Sequence, residues 1–333
     1  MRQGNCEDKA GVADMEQLIM AIETGGTKIQ LAIGTAQGDI LYNHYARVER
    51  EKGFRGVLDV VTGIMPELIE KAREFGGKIE RIGIGFGGPV DMASGTAIWS
   101  PQIDGWGGFP VKKFFEEKTG LPTYLYNDSD AACWGEYCRG AGRGSDIFFY
   151  TNMGSGVGGG VVIDGKLYTG QGYGAAEIGH SYLYNPFYSG EGSPVMQVEN
   201  LCAGWGIERR MRNDSIPESS LLWKLCGGEQ GKIDCLMWGE GIRRNDPYSI
   251  KVLDETCELF SIALSNVICL FSPDTIAIGG GVSLIGEPLI SRINEYIKKY
   301  IYINSEGRYR IVKSELDEAV VLVGGLLLAG QAE

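Results

Sequence analysis

The sequence predicts an α/β protein built from two similar halves, and two observations carry this prediction. A strand, a glycine turn and a second strand occupy residues 19–33, and the same arrangement returns at residues 147–163. Segments with helical spacing of apolar residues, at 54–75 and 249–271, alternate with short apolar strands. The repeat suggests a duplicated architecture with a cleft.

The remaining elements follow from apolar periodicity and from glycine stops. Gly76 and Gly77 end the first long helix, and Gly120 ends a short one. Residues Gly279–Gly281 follow a buried strand, so we expect them to open a helix. Further strands are predicted at 40–48, 79–85, 123–126 and 275–278, and further helices at 111–118, 129–139 and 319–330.

Composition excludes several classes of protein. The 333 residues carry a net charge of −12 without a basic cluster, which argues against nucleic acid as a partner. The longest apolar run, 319–330, is too short to cross a bilayer, and the first 18 residues lack an apolar signal segment. We therefore expect a cytoplasmic protein that does not bind membranes.

Glycine is abundant, at 51 residues, and three turns between predicted elements are rich in it. Such turns can direct backbone N–H groups at phosphate, although a β-hairpin explains the first turn equally well. The second is richer in glycine than a hairpin requires, which favours a phosphate cradle. The candidate residues are Gly25, Gly26, Thr27 and Lys28 in the first turn, Gly154, Ser155, Gly156 and Gly158 in the second, and Gly279, Gly280 and Gly281 in the third.

Several polar residues have both a functional and a structural interpretation. Asp128 could accept a proton from a hydroxyl that Asn127 orients, or it could only cap a helix. Glu177 and His180 could bind a polyhydroxylated ligand, or they could lie in a surface loop. Glu199 could join them or be a solvated glutamate. Glu23, just before the first glycine turn, could hold hydrated Mg²⁺.

Taken in order, these motifs resemble the ROK family of sugar kinases. The resemblance runs from about residue 19 to 330. The matching segments are Glu23–Lys28 (ETGGTK), Gly83–Asp91 (GIGFGGPVD), Asn127–Glu136 (NDSDAACWGE), Gly154–Gly160 (GSGVGGG), Glu177–His180 (EIGH) and Ile278–Val282 (IGGGV).

The resemblance implies an actin-like ATPase (ribonuclease H-like) fold with two domains and a nucleotide and sugar cleft. We expect an N-terminal extension over 1–18, a small domain over 19–127, and a larger domain over 128–315. A C-terminal helix, 316–333, is expected to return to the small domain. Family members are usually dimers or tetramers, so a homodimer is expected.

The family's site residues carry over by motif. The resemblance implies that Asp128 is the catalytic base and that the three glycine turns bind ATP and its phosphates. Glu23 is the implied Mg²⁺ residue. The implied sugar contacts are Gly88, Asn127, Asp128, Glu177, His180 and Glu199.

Three departures from the family pattern stand out. Many members add a C-x-C-G-x-x-G-C motif after the histidine to bind zinc, but residues 181–199 contain no cysteine. One histidine cannot supply a structural zinc site, so we expect no zinc. Another scaffold, in which Tyr182, Tyr184, Phe187 and Tyr188 could pack, would then hold this loop. Glu23 stands where the family usually has aspartate, and Gly87 where it commonly has proline.

The function implied by the resemblance is transfer of the ATP γ-phosphoryl group to a hexose hydroxyl, with the 6-hydroxyl of glucose as the first choice. N-acetylmannosamine, N-acetylglucosamine, fructose, mannose and allose remain open as substrates, and polyphosphate as donor. A sugar-binding protein without catalysis is the main alternative of another class. A sugar-responsive repressor would need a DNA-binding domain, and only about 18 residues precede the first strand.

Overall fold

The computed structural model describes residues 17–26, 28–100 and 102–332, and it divides into two compact units. The first contains the described residues up to Ala131 and those from Ala319 onward, and the second is Ala132–Glu318. The predicted boundaries lay at 127/128 and 315/316. The first strand begins at Gln17, so it includes the last two residues of the predicted 1–18 extension.

The first unit is built on a five-stranded sheet with the order β3-β2-β1-β4-β7. Strands β5 and β6 form a separate pair. The strands are β1 (Gln17–Thr24), β2 (Lys28–Gly34), β3 (Ile40–Arg47), β4 (Lys78–Phe86), β5 (Val90–Asp91), β6 (Thr96–Ala97) and β7 (Thr123–Asn127). The helices are α1 (Gly53–Glu74), α2 (Val111–Thr119) and the start of α3 (Asp128–Arg139).

Side chains of β1 alternate between the two faces of this sheet, as strand geometry requires. Leu18, Met20 and Ile22 join the core that includes apolar residues of α1. Ile19 and Ala21 face the other way and pack with residues of the C-terminal helix. Both faces are therefore covered, which explains why β1 is apolar almost throughout.

The second unit contains a sheet with the order β10-β9-β8-β13-β14 and a separate β11–β12 hairpin. Its strands are β8 (Ile147–Asn152), β9 (Gly159–Ile163), β10 (Lys166–Leu167), β11 (Tyr182–Tyr184), β12 (Val195–Gln197), β13 (Thr275–Gly279) and β14 (Arg310–Lys313). Its helices are α4 (Val198–Cys202), α5 (Gly204–Asn213), α6 (Leu221–Leu225), α7 (Cys235–Arg243), α8 (Pro247–Phe271) and α9 (Glu287–Tyr296).

The two sheets repeat one plan. In the first, β3, β2 and β1 are antiparallel neighbours, and β1, β4 and β7 are parallel. In the second, β10, β9 and β8 are antiparallel, and β8, β13 and β14 are parallel. The duplicated architecture predicted from the two strand–turn–strand segments is confirmed.

One predicted helix start is wrong. Gly279–Gly281 does not open an α-helix: a 3₁₀ helix spans Gly281–Ile285, and α9 starts only at Glu287. The C-terminal helix α10 is Val320–Gln331, within one residue of the 319–330 predicted from the apolar run. It is shorter than the 316–333 segment expected from the resemblance, because a 3₁₀ turn occupies Asp317–Ala319. Among the described residues, no helix is both long and apolar enough to cross a membrane.

Candidate functional site

The carboxyl ends of three parallel strands meet at one edge of the first sheet. Glu23 of β1 pairs with Gly85 of β4, and Phe86 of β4 pairs with Asn127 of β7. Parallel strands end at the same edge, so residues far apart in sequence come together there. Glu23, the Gly87–Gly88 turn and Asp128 therefore form one cluster.

Asn127 is the residue that caps α3. Its Oδ1 accepts hydrogen bonds from the backbone N–H groups of Ser129 at 2.8 Å and Asp130 at 3.1 Å. Its Nδ2 donates to the Gly88 carbonyl at 3.1 Å. The cap predicted as an alternative role for Asp128 is thus provided by Asn127. Asp128 is the first residue of α3, where the helix dipole favours a carboxylate.

The Gly87–Gly88 turn brings the backbone close to Asp128. The Gly87 N–H donates to the Thr24 carbonyl at 2.9 Å, and a Cβ at Gly87 would lie 3.6 Å from Asp128 Oδ2. Proline could not make that hydrogen bond, which explains why the common family residue is absent at this position. Gly88 has φ +151° and a Cβ there would lie 2.5 Å from the Trp99 carbonyl oxygen, so it also must be glycine.

Glu23 is buried, with 8% of its surface exposed. Its Oε2 accepts from Gln30 Nε2 at 2.7 Å, and its Oε1 lies 3.7 Å from Lys28 Nζ. Burial raises the Glu23 pKa from 4.5 to about 7, opposed by Lys28 and the Gln30 hydrogen bond and assisted by the charge of Asp128. This carboxyl therefore titrates near neutral pH.

The first glycine turn is closed by the Gly25 N–H, which donates to the Lys28 carbonyl at 3.1 Å. Arg50 Nε donates to the Gly26 carbonyl at 2.8 Å, so a distant segment holds the turn. The predicted phosphate residue Thr27 lies outside the described residues. Sequence reasoning missed Arg50 and Gln30, since neither belongs to a recognisable motif.

The second glycine turn, in the second unit, uses part of its own backbone for internal bonds. The Gly154 N–H donates to the Gly156 carbonyl at 2.9 Å. The Gly158 N–H donates to Asn152 Oδ1 at 2.6 Å. Among the described residues, the amides of Ser155 and Gly156 have no acceptor, so these two remain available for a ligand.

The third glycine turn lies against the second. The Met153 N–H donates to the Gly279 carbonyl at 2.9 Å, and the Val282 N–H to the Met153 carbonyl at 2.8 Å. Gly280 has φ +82°, and a Cβ there would lie 2.6 Å from the Met153 carbonyl oxygen. The structure thus brings Gly154 and Gly280 together as one glycine-lined surface.

Glu199 joins this surface to Glu177. Its Oε2 accepts from the Val157 N–H at 2.9 Å, and a Cβ on Gly156 would approach the same oxygen to 2.7 Å. Burial, and secondarily the charge of Glu199, raise the Glu177 pKa from 4.5 to about 7. Glu199 is therefore not merely a solvated glutamate.

His180 is exposed, and its Nδ1 lies 3.4 Å from Gln197 Nε2. It ends a 3₁₀ turn that starts after Glu177. Within the part of the chain that the structure describes, no three His, Cys, Asp or Glu side chains are grouped as metal ligands would be. The absence of zinc stays a prediction.

The comparisons with known proteins agree on one family. A sequence model of the ROK family matches residues 19–332. The glucokinase of Thermotoga maritima is 29% identical over 92% of this chain and 95% of its own length.

Two solved structures resemble the chain over nearly its whole length. A ROK family glucokinase from Streptomyces griseus, in complex with glucose and AMPPNP, is 30% identical, with a TM-score of 0.81 over 95% of this chain and 100% of that one. A ROK hexokinase from Thermus thermophilus is 26% identical, with a TM-score of 0.73 over 94% and 97%. The chain therefore belongs to the ROK family and has the actin-like ATPase fold of its kinases.

Proposed function

We propose that the protein is a sugar kinase that transfers the γ-phosphoryl group of ATP to a hexose hydroxyl. The observation that carries the proposal is the cluster of Glu23, the Gly87–Gly88 turn and Asp128 where β1, β4 and β7 end. The similarity to the Streptomyces griseus glucokinase, whose complex holds glucose and AMPPNP, supports it.

Asp128 is the proposed general base, which accepts the proton of the attacking hydroxyl. Its backbone is fixed because Asn127 caps α3 and also donates to the Gly88 carbonyl. Gly88 is the proposed backbone contact to the sugar. A base held in this way needs little rearrangement, which is how positioning lowers the barrier in phosphoryl transfer.

In the second unit, Glu177, His180 and Glu199 are the proposed sugar contacts. Burial raises the pKa of the half-buried Glu177 carboxyl to about 7, so its protonated form, which can donate as well as accept a hydrogen bond, is populated near neutral pH. The glycine-lined surface of Gly154–Gly158 and Gly279–Gly281 is the proposed site of the ATP phosphates and nucleotide. The free amides of Ser155 and Gly156 suit phosphate oxygens, whereas the Gly158 amide is already bonded.

Glu23 and Lys28 are the proposed metal and phosphate residues of the first unit. Burial raises the Glu23 pKa most, and the charge of Asp128 adds to the rise, so a divalent cation beside both carboxylates would relieve their repulsion. This fits Mg²⁺, which commonly uses one or two carboxylates together with phosphate. Bound Mg²⁺ would neutralise charge on the transferred phosphoryl group.

Glucose is the proposed substrate, with attack by its 6-hydroxyl. The glucokinase names of the relatives support this choice over the other hexoses and N-acetylhexosamines. Polyphosphate as donor is the second proposal within the same class. A homodimer and a cytoplasmic location also remain predictions.

The test is ADP release with Mg·ATP against glucose, mannose, fructose, allose, N-acetylglucosamine and N-acetylmannosamine. Turnover should appear with one sugar and fall about 10²–10⁴-fold in Asp128→Asn, the range for loss of a general base. Sugar affinity, measured by calorimetry, should largely persist. Asp59→Asn, an exposed aspartate on α1, is the matched control and should keep full activity.

Two outcomes would contradict the proposal. Turnover that persists in Asp128→Asn would remove Asp128 from the role of base. Sugar binding without turnover on ATP or polyphosphate would favour the alternative, a sugar-binding protein without catalysis.

A further inference from the structure

The second unit contains a cavity of about 520 Å³ that none of the predicted sugar or phosphate residues lines. Residues of α4, α5, α8 and β12, together with the connection between β11 and β12, form its walls. Its size is typical of sites for small molecules. Three cationic side chains, Arg209, Arg210 and Lys251, line it together with the carboxylates of Asp214 and Glu255.

Arg210 is the most unusual side chain of this cavity, because only 12% of it is exposed. Its Nη2 donates to Thr256 Oγ1 at 2.6 Å and to the Val252 carbonyl at 3.2 Å. Its Nε and Nη1 are buried and have no hydrogen-bond acceptor among the described residues. Buried guanidinium N–H groups without acceptors are costly, so an acceptor at this position is expected.

The neighbouring carboxylates do not supply that acceptor. Glu255 Oε2 lies 3.9 Å from Arg210 Nε, which is too far for a hydrogen bond. Lys251 Nζ lies 3.6 Å from Glu255 and 3.7 Å from Asp214, and Tyr248 donates to Asp214 at 3.0 Å. Both carboxylates therefore already have other partners.

The surroundings of Arg210 also orient it. Its guanidinium lies 4.8 Å from the ring centroid of Phe187, so the plane of the side chain is constrained from one side. The two unpartnered groups, Nε and Nη1, can each donate one charge-assisted hydrogen bond to a phosphate or carboxylate oxygen. The cationic side chains of the lining outnumber the anionic ones by one, which favours an anion.

We propose that this cavity is a second ligand site, which binds a phosphate monoester with Arg210 as its buried anchor and Lys251 as a cation at its mouth. The volume exceeds that of phosphate alone, so the ester carries an organic body. The lining contains the amide side chains of Asn185, Asn200 and Asn213, which can form hydrogen bonds with hydroxyl groups on the organic part of the ester. The proposal does not depend on the kinase activity, since no predicted catalytic residue takes part.

The test measures the binding of glycerol 3-phosphate to the full chain by titration calorimetry. One equivalent should bind to the wild type, and Asp128→Asn should bind it with the same affinity. Arg210→Met should weaken binding about 10- to 100-fold and Lys251→Met about 3- to 10-fold, as expected for charge-assisted bonds. The matched control is Lys299→Met, because Lys299 also pairs with an α8 glutamate, Glu258, but does not line the cavity.

Absence of binding at millimolar ligand, or equal binding in wild type and Lys251→Met, would overturn the proposal. Lys251 is 58% exposed, so its variant should fold even if Arg210→Met does not. Glycerate is the second probe, and tighter binding of this carboxylate would refute the assignment to phosphate esters. Loss of kinase turnover in Asp128→Asn with unchanged glycerol 3-phosphate binding would separate the two proposals.

Discussion

The buried carboxyl of Glu23 makes the stability of the protein depend on pH in a way that one substitution should remove. Glu23→Gln keeps the size of the side chain and its reach toward Gln30 and Lys28 but removes the titrating group. The wild-type pKa is raised from 4.5 to about 7, chiefly by burial. The rise corresponds to ~3 kcal/mol of preference for the protonated form in the folded state.

The sign of the effect follows from proton binding. The folded state holds this proton more tightly than the unfolded state, so the stabilising contribution is complete below about pH 4.5. It is lost as pH rises through about 7, where the buried carboxyl must ionise. Between pH 5 and pH 8, the free energy of unfolding of Glu23→Gln should therefore gain ~2–3 kcal/mol relative to wild type.

Urea denaturation of both proteins at several pH values measures this difference. Sugar, nucleotide and Mg²⁺ must be left out, because ligands that bind only the folded state add their own stabilisation. Glu70→Gln is the control: Glu70 pairs with Arg73 at 3.0 Å on the exposed face of α1 and should show no such trend. If the free energies of unfolding of wild type and Glu23→Gln differ by the same amount at every pH from 5 to 8, the reasoning is refuted.

Four further substitutions test the other contacts. Glu199→Gln should lower the Glu177 pKa from about 7, since the charge of Glu199 contributes to it; carboxyl NMR titration measures this. Asn127→Ala should cost ~1 kcal/mol of unfolding free energy in urea, the usual value of a helix cap. Glu136→Ala should cost ~3 kcal/mol or more in the same assay, because this fully buried carboxylate accepts several hydrogen bonds, including one from the Leu316 N–H at 2.7 Å. Gly87→Pro, which restores the common family residue, should lower the melting temperature because it removes the bond to the Thr24 carbonyl.

Most strands and long helices were predictable because each has a local signal. The apolar runs of β1 and β2, which are buried on both faces, and the apolar stripe of α1 are visible in the sequence. The short helices α4 to α7 were not predicted, since five to ten residues give little periodicity. Capping residues could have indicated two of them: Ser220 and Asp234 each accept a backbone hydrogen bond at a helix start.

The site was predictable only as a set of motifs. Asn127 and Asp128 could be singled out, but the helix cap that was the alternative role for Asp128 is made by Asn127. Competition for hydrogen bonds explains why the Gly158 amide is unavailable: Asn152, six residues earlier, takes it. Hydrophobic periodicity does not predict such bonds between a side chain and the backbone. The bond from Arg50 to the Gly26 carbonyl depends in addition on which separate segments meet.

The structure also shows what holds the loop that lacks the family's cysteine motif. Two of the aromatic residues expected to pack there do not: Tyr182 and Tyr184 are 64% and 66% exposed. Instead, the β11–β12 hairpin aligns the segment, and Leu183 between the two tyrosines is buried in the core.

Phe187 completes this arrangement by packing against the guanidinium of Arg210. A hairpin, one buried leucine and a cation–π contact thus stand where many relatives carry cysteines. The same arginine anchors the loop and lines the cavity, so a ligand that binds Arg210 would also order the segment after His180. We therefore expect glycerol 3-phosphate to slow hydrogen exchange over residues 181–199, and Lys251→Met to reduce this protection while Lys299→Met leaves it unchanged.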